Sequence, residues 1–462
     1  MFLYKIRSRF GKNELKRSLL LLVICGWLVP ALACNFPFRN AAPDRADDLR
    51  LTLTAIAVNS PADATPSPAG VANPVLPPDV LSPGETQVVT GILRPDPPAL
   101  DEAGERYRYL TLVGDTLDAV ARRFAVDPDQ ISSPQPLLGG GLLAPGQELL
   151  IPNQLGVYQE RSVLLPDSEI IYSPSARDFD LSQYIDGAGG HLSRYEEMVK
   201  GEQLSGAEIV TKVARENSIN PRLLLAVLEY RSGWVFGPSG QEPGSGFPIG
   251  FFVPDYRGLY YELVLTATHL GVGYYGWRSG ERTSMSFPDG SLLRLSPGLN
   301  PGTAGLQVVF AKLLNQGEWR TALYEPGDFI SLYEQMFGDP WVRAGQVEPL
   351  FPLDLTQPVL ELPFLPGEQW SFTGGPHRSW NAGSPLGALD FSPVTGEPPC
   401  TPSKAWVTAS AAGVVTRSSD NVLAVDLDGD GFEGTGWVLV YLHIADQDRV
   451  TPGATLLTDD PL

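Results

Sequence analysis

Two proline-rich stretches decide how this chain can fold. One, "NSPADATPSPAGVANPVLPPDVLSPGE", falls within residues 35–104, and the other, "VEPLFPLDLTQPVLELPFLPGE", occupies 347–368. A proline fixes its own φ and has no N–H, so neither stretch can enter a helix interior or the middle of a sheet. With 48 Gly and 43 Pro among 462 residues, the chain is expected to form several cores rather than one. The pattern between the joints predicts a multidomain α+β protein. Its expected segments are 1–34, 35–104, 105–153, 154–185, 186–345, 346–365 and 366–462, with 154–185 and 346–365 read as linkers.

Residues 1–34 read as an export signal. Lys5, Arg7, Arg9, Lys12, Lys16 and Arg17 precede "SLLLLVICGWLVPALAC", an apolar run short for a spanning helix. Its end, Ala31-Leu32-Ala33-Cys34, resembles a bacterial lipoprotein signal, which implies that Cys34 carries lipid and anchors the protein to a membrane. A plain secretory signal or an uncleaved anchor is the alternative. Either way the expected location is extracytoplasmic and associated with the cell wall. Residues 35–104 read as a disordered Pro/Ala-rich tether. A formal net charge of −20 excludes nucleic acid as a partner, because phosphate contacts need clustered cations. Cys400 is left alone once Cys25 leaves with the signal and Cys34 takes lipid.

Within 105–153, residues 107–113 alternate apolar and polar, and Gly114-Asp115-Thr116 turns into a helix capped by Asp115 or Thr116. Leu117, Val120, Ala121 and Phe124 recur at helical spacing, and Glu148 to Ile151 returns as a strand after the Pro145-Gly146 turn. The segment resembles the LysM domain, down to "GDTL" and "PGQELLIP". That resemblance implies a β-α-α-β fold that binds peptidoglycan or another N-acetylglucosamine glycan. The groove would lie between Gly114, Asp115 and Thr116 on one side and Ala144, Pro145 and Gly146 on the other.

Residues 205–235 predict a capped helix, a turn at Asn220-Pro221 and a second, apolar helix. The region 186–345 looks like the lysozyme-like core of lytic transglycosylases, whose second helix ends in a catalytic glutamate. Here Arg231 stands in that place and cannot act as a general acid. Glu229 lies about 200° round the helix and faces elsewhere. The domain is expected to be a non-catalytic spacer or binding module, with Tyr260, Tyr261, Tyr274, Tyr275 and Trp277 more suited to its core than to a groove.

Chemistry is expected in 366–462. His191 and His269 have no carboxylate motif beside them and read as structural, whereas His377 follows a Gly-Gly-Pro turn with Asp390-Phe391 thirteen positions on. Zinc takes nitrogen and carboxylate ligands, three from protein in most catalytic sites. Strands are expected at Trp406–Ser410, Gly413–Arg417, Val422–Leu427 and Trp437–His443. The order of these motifs resembles the lysostaphin-type zinc peptidases, which cut peptidoglycan cross-links. The resemblance implies an all-β antiparallel domain with His377 and Asp390 as two ligands of one zinc ion and His443 as a catalytic histidine assisting the attacking water. The family's third ligand comes from a His-x-His pair placed after a "V-x-x-G-x-x-L" segment, here "RVTPGATLL", and the sequence contains no such pair. The expectation is therefore a site incomplete as given, in a fragment of a longer product. "DLDGDGFEG", Asp426 to Gly434, has the spacing of a calcium loop, but Trp437 stands at its twelfth position, so a hairpin turn is the reading and calcium the alternative.

The functional expectation is an exported cell-wall protein that binds peptidoglycan and, if complete, hydrolyses its peptide cross-links. The alternative is a non-catalytic scaffold or activator of a partner hydrolase.

Overall fold

The computed structural model describes residues 98–101, 104–137, 140–155, 162–237, 246–377, 387–395, 403–419 and 421–462. The leader with Cys34, most of the tether and Cys400 lie outside the described residues. No helix among the described residues is long and apolar enough to cross a membrane.

The N-terminal module is a small antiparallel sheet of β1 (Ala99–Leu100), β2 (Arg106–Leu110) and β3 (Glu148–Pro152), with α1 (Leu117–Phe124) laid against it. Alternation sends Tyr107 and Tyr109 inward, where each ring meets Phe124 at 5.5 Å. Val120, Ala121 and Phe124 supply the buried helix face, as their spacing predicts. Thr116 caps the helix by accepting the Ala119 N–H at 3.2 Å. One expectation fails. Among the described residues the second helix of a β-α-α-β module is absent, and a single 3-10 turn, Pro128–Gln130, stands before Ser132 bridges to Leu150. Pro134 and Pro136 lack the N–H groups that a helix there would need.

The helical body follows. It comprises α2 (Leu181–Ala188), the hairpin β4 (Glu196–Val199) and β5 (Glu202–Ser205), α3 (Gly206–Glu216), α4 (Pro221–Ser232), α5 (Leu259–Arg278), the hairpin β6 (Ser284–Ser286) and β7 (Leu292–Arg294), α6 (Pro301–Leu313), α7 (Gln316–Tyr324), α8 (Phe329–Phe337) and α9 (Pro340–Val347). Ser205 and Glu208 form a capping box on α3, and Asn220 caps α4 ahead of Pro221. The long helices α5 and α6 cross where two glycines meet: a Cβ on Gly273 would lie 2.6 Å from the Gly305 Cα. Glycine at 273 is what lets the backbones approach so closely, and a Cβ on Gly305 would be tight as well, 3.0 Å from Leu270 O. Tyr260, Tyr274 and Trp277 are buried, which confirms them as core. The expected linkers are shorter than predicted. Leu164, Leu165, Ile170 and Ile171, within 154–185, and Leu350, within 346–365, belong to this core.

The C-terminal region has two sheets. β8 (Trp370–His377) pairs with β9 (Ala388–Pro393), and a four-stranded sheet has the order β12-β11-β10-β13, from β10 (Gly413–Ser419), β11 (Val422–Asp426), β12 (Val438–Leu442) and β13 (Thr455–Leu456). Val415, Leu423, Val425, Leu456 and Leu462 form its core. The expected strand Trp406–Ser410 is reduced to one bridge, Thr408 to Pro461. The last expected strand stops at Leu442, because His443 turns into the left-handed region at φ 63° and breaks the ladder.

Candidate functional site

The hairpin β8–β9 carries the candidate metal ligands. Its register sets Gly374 opposite Asp390 and His377 opposite Ala388, with irregularities between these pairs. As a result His377 Nε2 lies 2.8 Å from Asp390 Oδ2, thirteen residues away in sequence. Gly374 permits this approach, since a Cβ there would sit 2.8 Å from the same carboxylate oxygen. The two side chains keep 45% and 53% of their exposure, so the pair opens to solvent on one side. Nitrogen and carboxylate oxygen suit zinc, and bonds of about 2.0 Å in a tetrahedral site place neighbouring donors about 3.3 Å apart. A shift of a few tenths of an ångström would separate the observed pair that far. The pair therefore fits zinc in donor type and spacing.

His443 is exposed and lies just beyond β12, in the other sheet. Among the described residues, no third His, Cys, Asp or Glu places a ligand atom within 4.8 Å of both His377 and Asp390. The one group of three that meets that distance is Asp426, Asp428 and Asp430. There the carboxylates are engaged by their own turn. Asp426 accepts the N–H groups of Asp428 and Gly431, Asp430 accepts that of Phe432, and Thr435 donates its hydroxyl to Asp430. Burial pushes the Asp428 carboxyl up to about 6, with Asp426 and Asp430 adding to the effect. These bonds fit the hairpin-turn reading.

The two loops named in the N-terminal module do come together. Leu143 N–H donates to Asp115 O at 2.8 Å, and Thr111 Oγ1 donates to Ala144 O at 2.5 Å. Ala144 and Gly146 are exposed. Asp115 is not: it is 5% exposed, and its carboxylate pairs with Arg123 while accepting from the Tyr109 hydroxyl at 2.6 Å and the Leu112 N–H at 2.8 Å. The sequence marks Asp115 as a groove residue, but its side chain is a buried counter-ion. The signal that could have shown this was Arg123 itself, a cation between Val120 and Phe124 on the apolar face of α1.

In the helical body Arg231, the residue that the lysozyme-like resemblance sets in the acid's place, is held by the backbone. Arg231 Nε donates to Ile249 O at 2.8 Å, whereas Glu229 accepts the Val235 and Phe236 N–H groups. Sequence reasoning missed Glu262. This fully buried carboxylate accepts three consecutive N–H groups, Ile249 to Phe251, at 2.9, 2.6 and 3.3 Å. Burial still holds its carboxyl above the usual range. Burial also drives His269 down to about 3, with Lys312 and Arg282 adding, which supports the structural reading of that histidine.

Residues 163–351, the helical body from the buried segment before α2 to the residue after Leu350, match the family model described as LasA, N-terminal domain. The match points toward the same lysostaphin-type peptidase family that the C-terminal motifs resemble. No curated protein and no solved structure matches the chain. The matched range also agrees with the fold in starting inside the expected linker 154–185, where core residues begin.

Proposed function

We propose that this protein is an exported, wall-associated hydrolase of the lysostaphin type, directed at peptide cross-links of peptidoglycan and held near its substrate by the N-terminal module. The observation that carries the reading is the His377–Asp390 contact, two zinc-type donors brought to 2.8 Å on a solvent-open hairpin. The LasA-type match over 163–351 supports it independently. His377 Nε2 and Asp390 Oδ2 would hold one zinc ion. Zinc there supplies Lewis-acid polarisation of a peptide carbonyl. The lysostaphin-type resemblance gives His443, exposed beyond β12, the role of assisting the attacking water. Lipidation at Cys34 would keep the protein at a membrane surface.

The second reading, a binding scaffold, is favoured by one fact: among the described residues the centre has two protein ligands, and affinity rises with ligand number. Zinc titration of the full chain by calorimetry separates the two, together with release of soluble muropeptides from purified sacculi. The hydrolase reading expects one bound zinc, lost in His377→Ala and Asp390→Asn, and muropeptide release lost in His443→Ala. Absence of zinc binding and of release leaves the scaffold.

A further inference from the structure

The N-terminal module is not free of the helical body, and the contact falls on the first of its two loops. Arg278, in the last turn of α5, points Nη2 at Val113 O, 3.4 Å away. A Cβ on Gly114 would come within 2.1 Å of the same Nη2, so the guanidinium lies directly against the loop backbone, and Gly114 also needs glycine for its φ of +86°. The same guanidinium lies over the Phe351 ring, its Cζ 4.2 Å from the ring centre, which adds a second contact to hold the arginine. Two further contacts hold the module in place. Arg294 Nη2 donates to Arg122 O and Arg123 O at 3.3 and 2.9 Å, and the Arg123 guanidinium stacks over the Trp277 ring at 4.2 Å. The second loop, with Ala144 and Gly146, stays open.

We infer that Arg278 and a glycan are rival occupants of the Val113–Thr116 loop, so that the docked module is a closed form and must lift from the helical body to take up a glycan fully. The inference rests on the reading that this module binds N-acetylglucosamine glycans. Sugar hydroxyls and acetamido groups pair with backbone N–H and C=O groups at loops, and here the Val113 carbonyl is already an acceptor for arginine. A ligand that binds only the lifted form has its apparent affinity lowered by the fraction of molecules that are lifted. Removing Arg278 raises that fraction.

The test is sedimentation of the full chain with insoluble chitin, comparing the natural protein, Arg278→Ala, and each of these carrying Ala144→Glu in the open second loop. The expected result is about tenfold tighter binding by Arg278→Ala, on the scale of one lost charge-assisted contact, and abolition by Ala144→Glu. Equal binding with and without Arg278, still abolished by Ala144→Glu, overturns the competition and leaves glycan binding standing. No binding by any form overturns both. Should Arg278→Ala fail to fold, Arg294→Ala is expected to tighten binding in the same direction. Hydrogen exchange on the natural protein gives a second measure: chitin oligomers should speed exchange at 277–280, and unchanged exchange there with bound oligomer overturns the inference.

Discussion

Arg123 carries a charge into the interior of the N-terminal module, where Asp115 and the Tyr109 hydroxyl meet it. Burial pushes the Tyr109 phenol well above its usual range against the opposing pull of Arg123, so the hydroxyl stays a donor to Asp115. Removing one partner of such a pair strands the other, at a cost of about 3–5 kcal/mol. Asp115→Ala is therefore expected to unfold the module while the helical body persists, seen as loss of exchange protection confined to 105–153. A second pair acts in the body. Glu348 accepts the Ser168 N–H at 2.8 Å, and its carboxyl is pushed up to about 7 by burial, with nearby Asp167 adding. The folded protein thus holds this proton more tightly than the unfolded chain does. The associated stability is fully present below the ordinary carboxylate value of 4.5 and is lost as pH rises through about 7. Glu348→Gln keeps an acceptor for Ser168 without the charge. Its melting temperature should exceed that of the natural protein at pH 8 and approach it at pH 4.5; an equal or lower value at pH 8 contradicts the assignment.

At the scale of elements, helix starts were the part most easily seen in the sequence, because each is a local matter of one side chain and one N–H. Of the two candidates Asp115 and Thr116 it is Thr116 that caps, the helix expected from 205 is capped by Ser205, and the expected turn at Asn220-Pro221 also supplies a cap, Asn220. Thr116→Ala should cost about 1 kcal/mol, measured as a lower denaturant midpoint of the module's transition. The candidate metal pair was legible as two residue types in the right order, but not as a contact. Its 2.8 Å approach depends on two irregularities in the β8–β9 register, and nothing local in "WSFTGGPH" says which residues will face one another. Strand ends were less legible still. Val407, Ala409 and Leu462 pack into the sheet core, yet the Trp406–Ser410 segment forms a single bridge instead of a strand. Burial alone made its pattern look like β. The docking of the module left no sequence signal at all, since Arg278, Arg294 and their carbonyl partners lie some 170 positions apart in the chain.

At the scale of the molecule, the helical body is the piece on which the other two lean. The four-stranded sheet meets it through Arg417, which pairs with Glu433 at 2.7 Å and reaches Glu216 O at 3.4 Å. The Phe432 ring contacts both the Tyr172 ring, at 5.4 Å, and the Arg177 guanidinium, at 5.3 Å, and Gly434 fits against Tyr172 O where a Cβ would be 2.8 Å away. Arg417→Ala removes the ion pair and the bridge to α3 together. Calorimetry should then resolve the melting of the sheet from that of the body, whereas a single unchanged transition would show that the seam contributes little. The four-stranded sheet ends at β12, which among the described residues pairs only with β11 and exposes Val440. An open edge of this kind can template a strand from another molecule. What stands against such pairing at a distance is the charge of −20, a colloidal barrier whose range is the Debye length, about 30 Å in 0.01 M salt and about 8 Å in 0.15 M. Shelf life in solution should therefore be set by ionic strength: concentrated stocks stay dispersed in dilute buffer and coarsen as salt is added, with the scattered intensity rising before any change in fold.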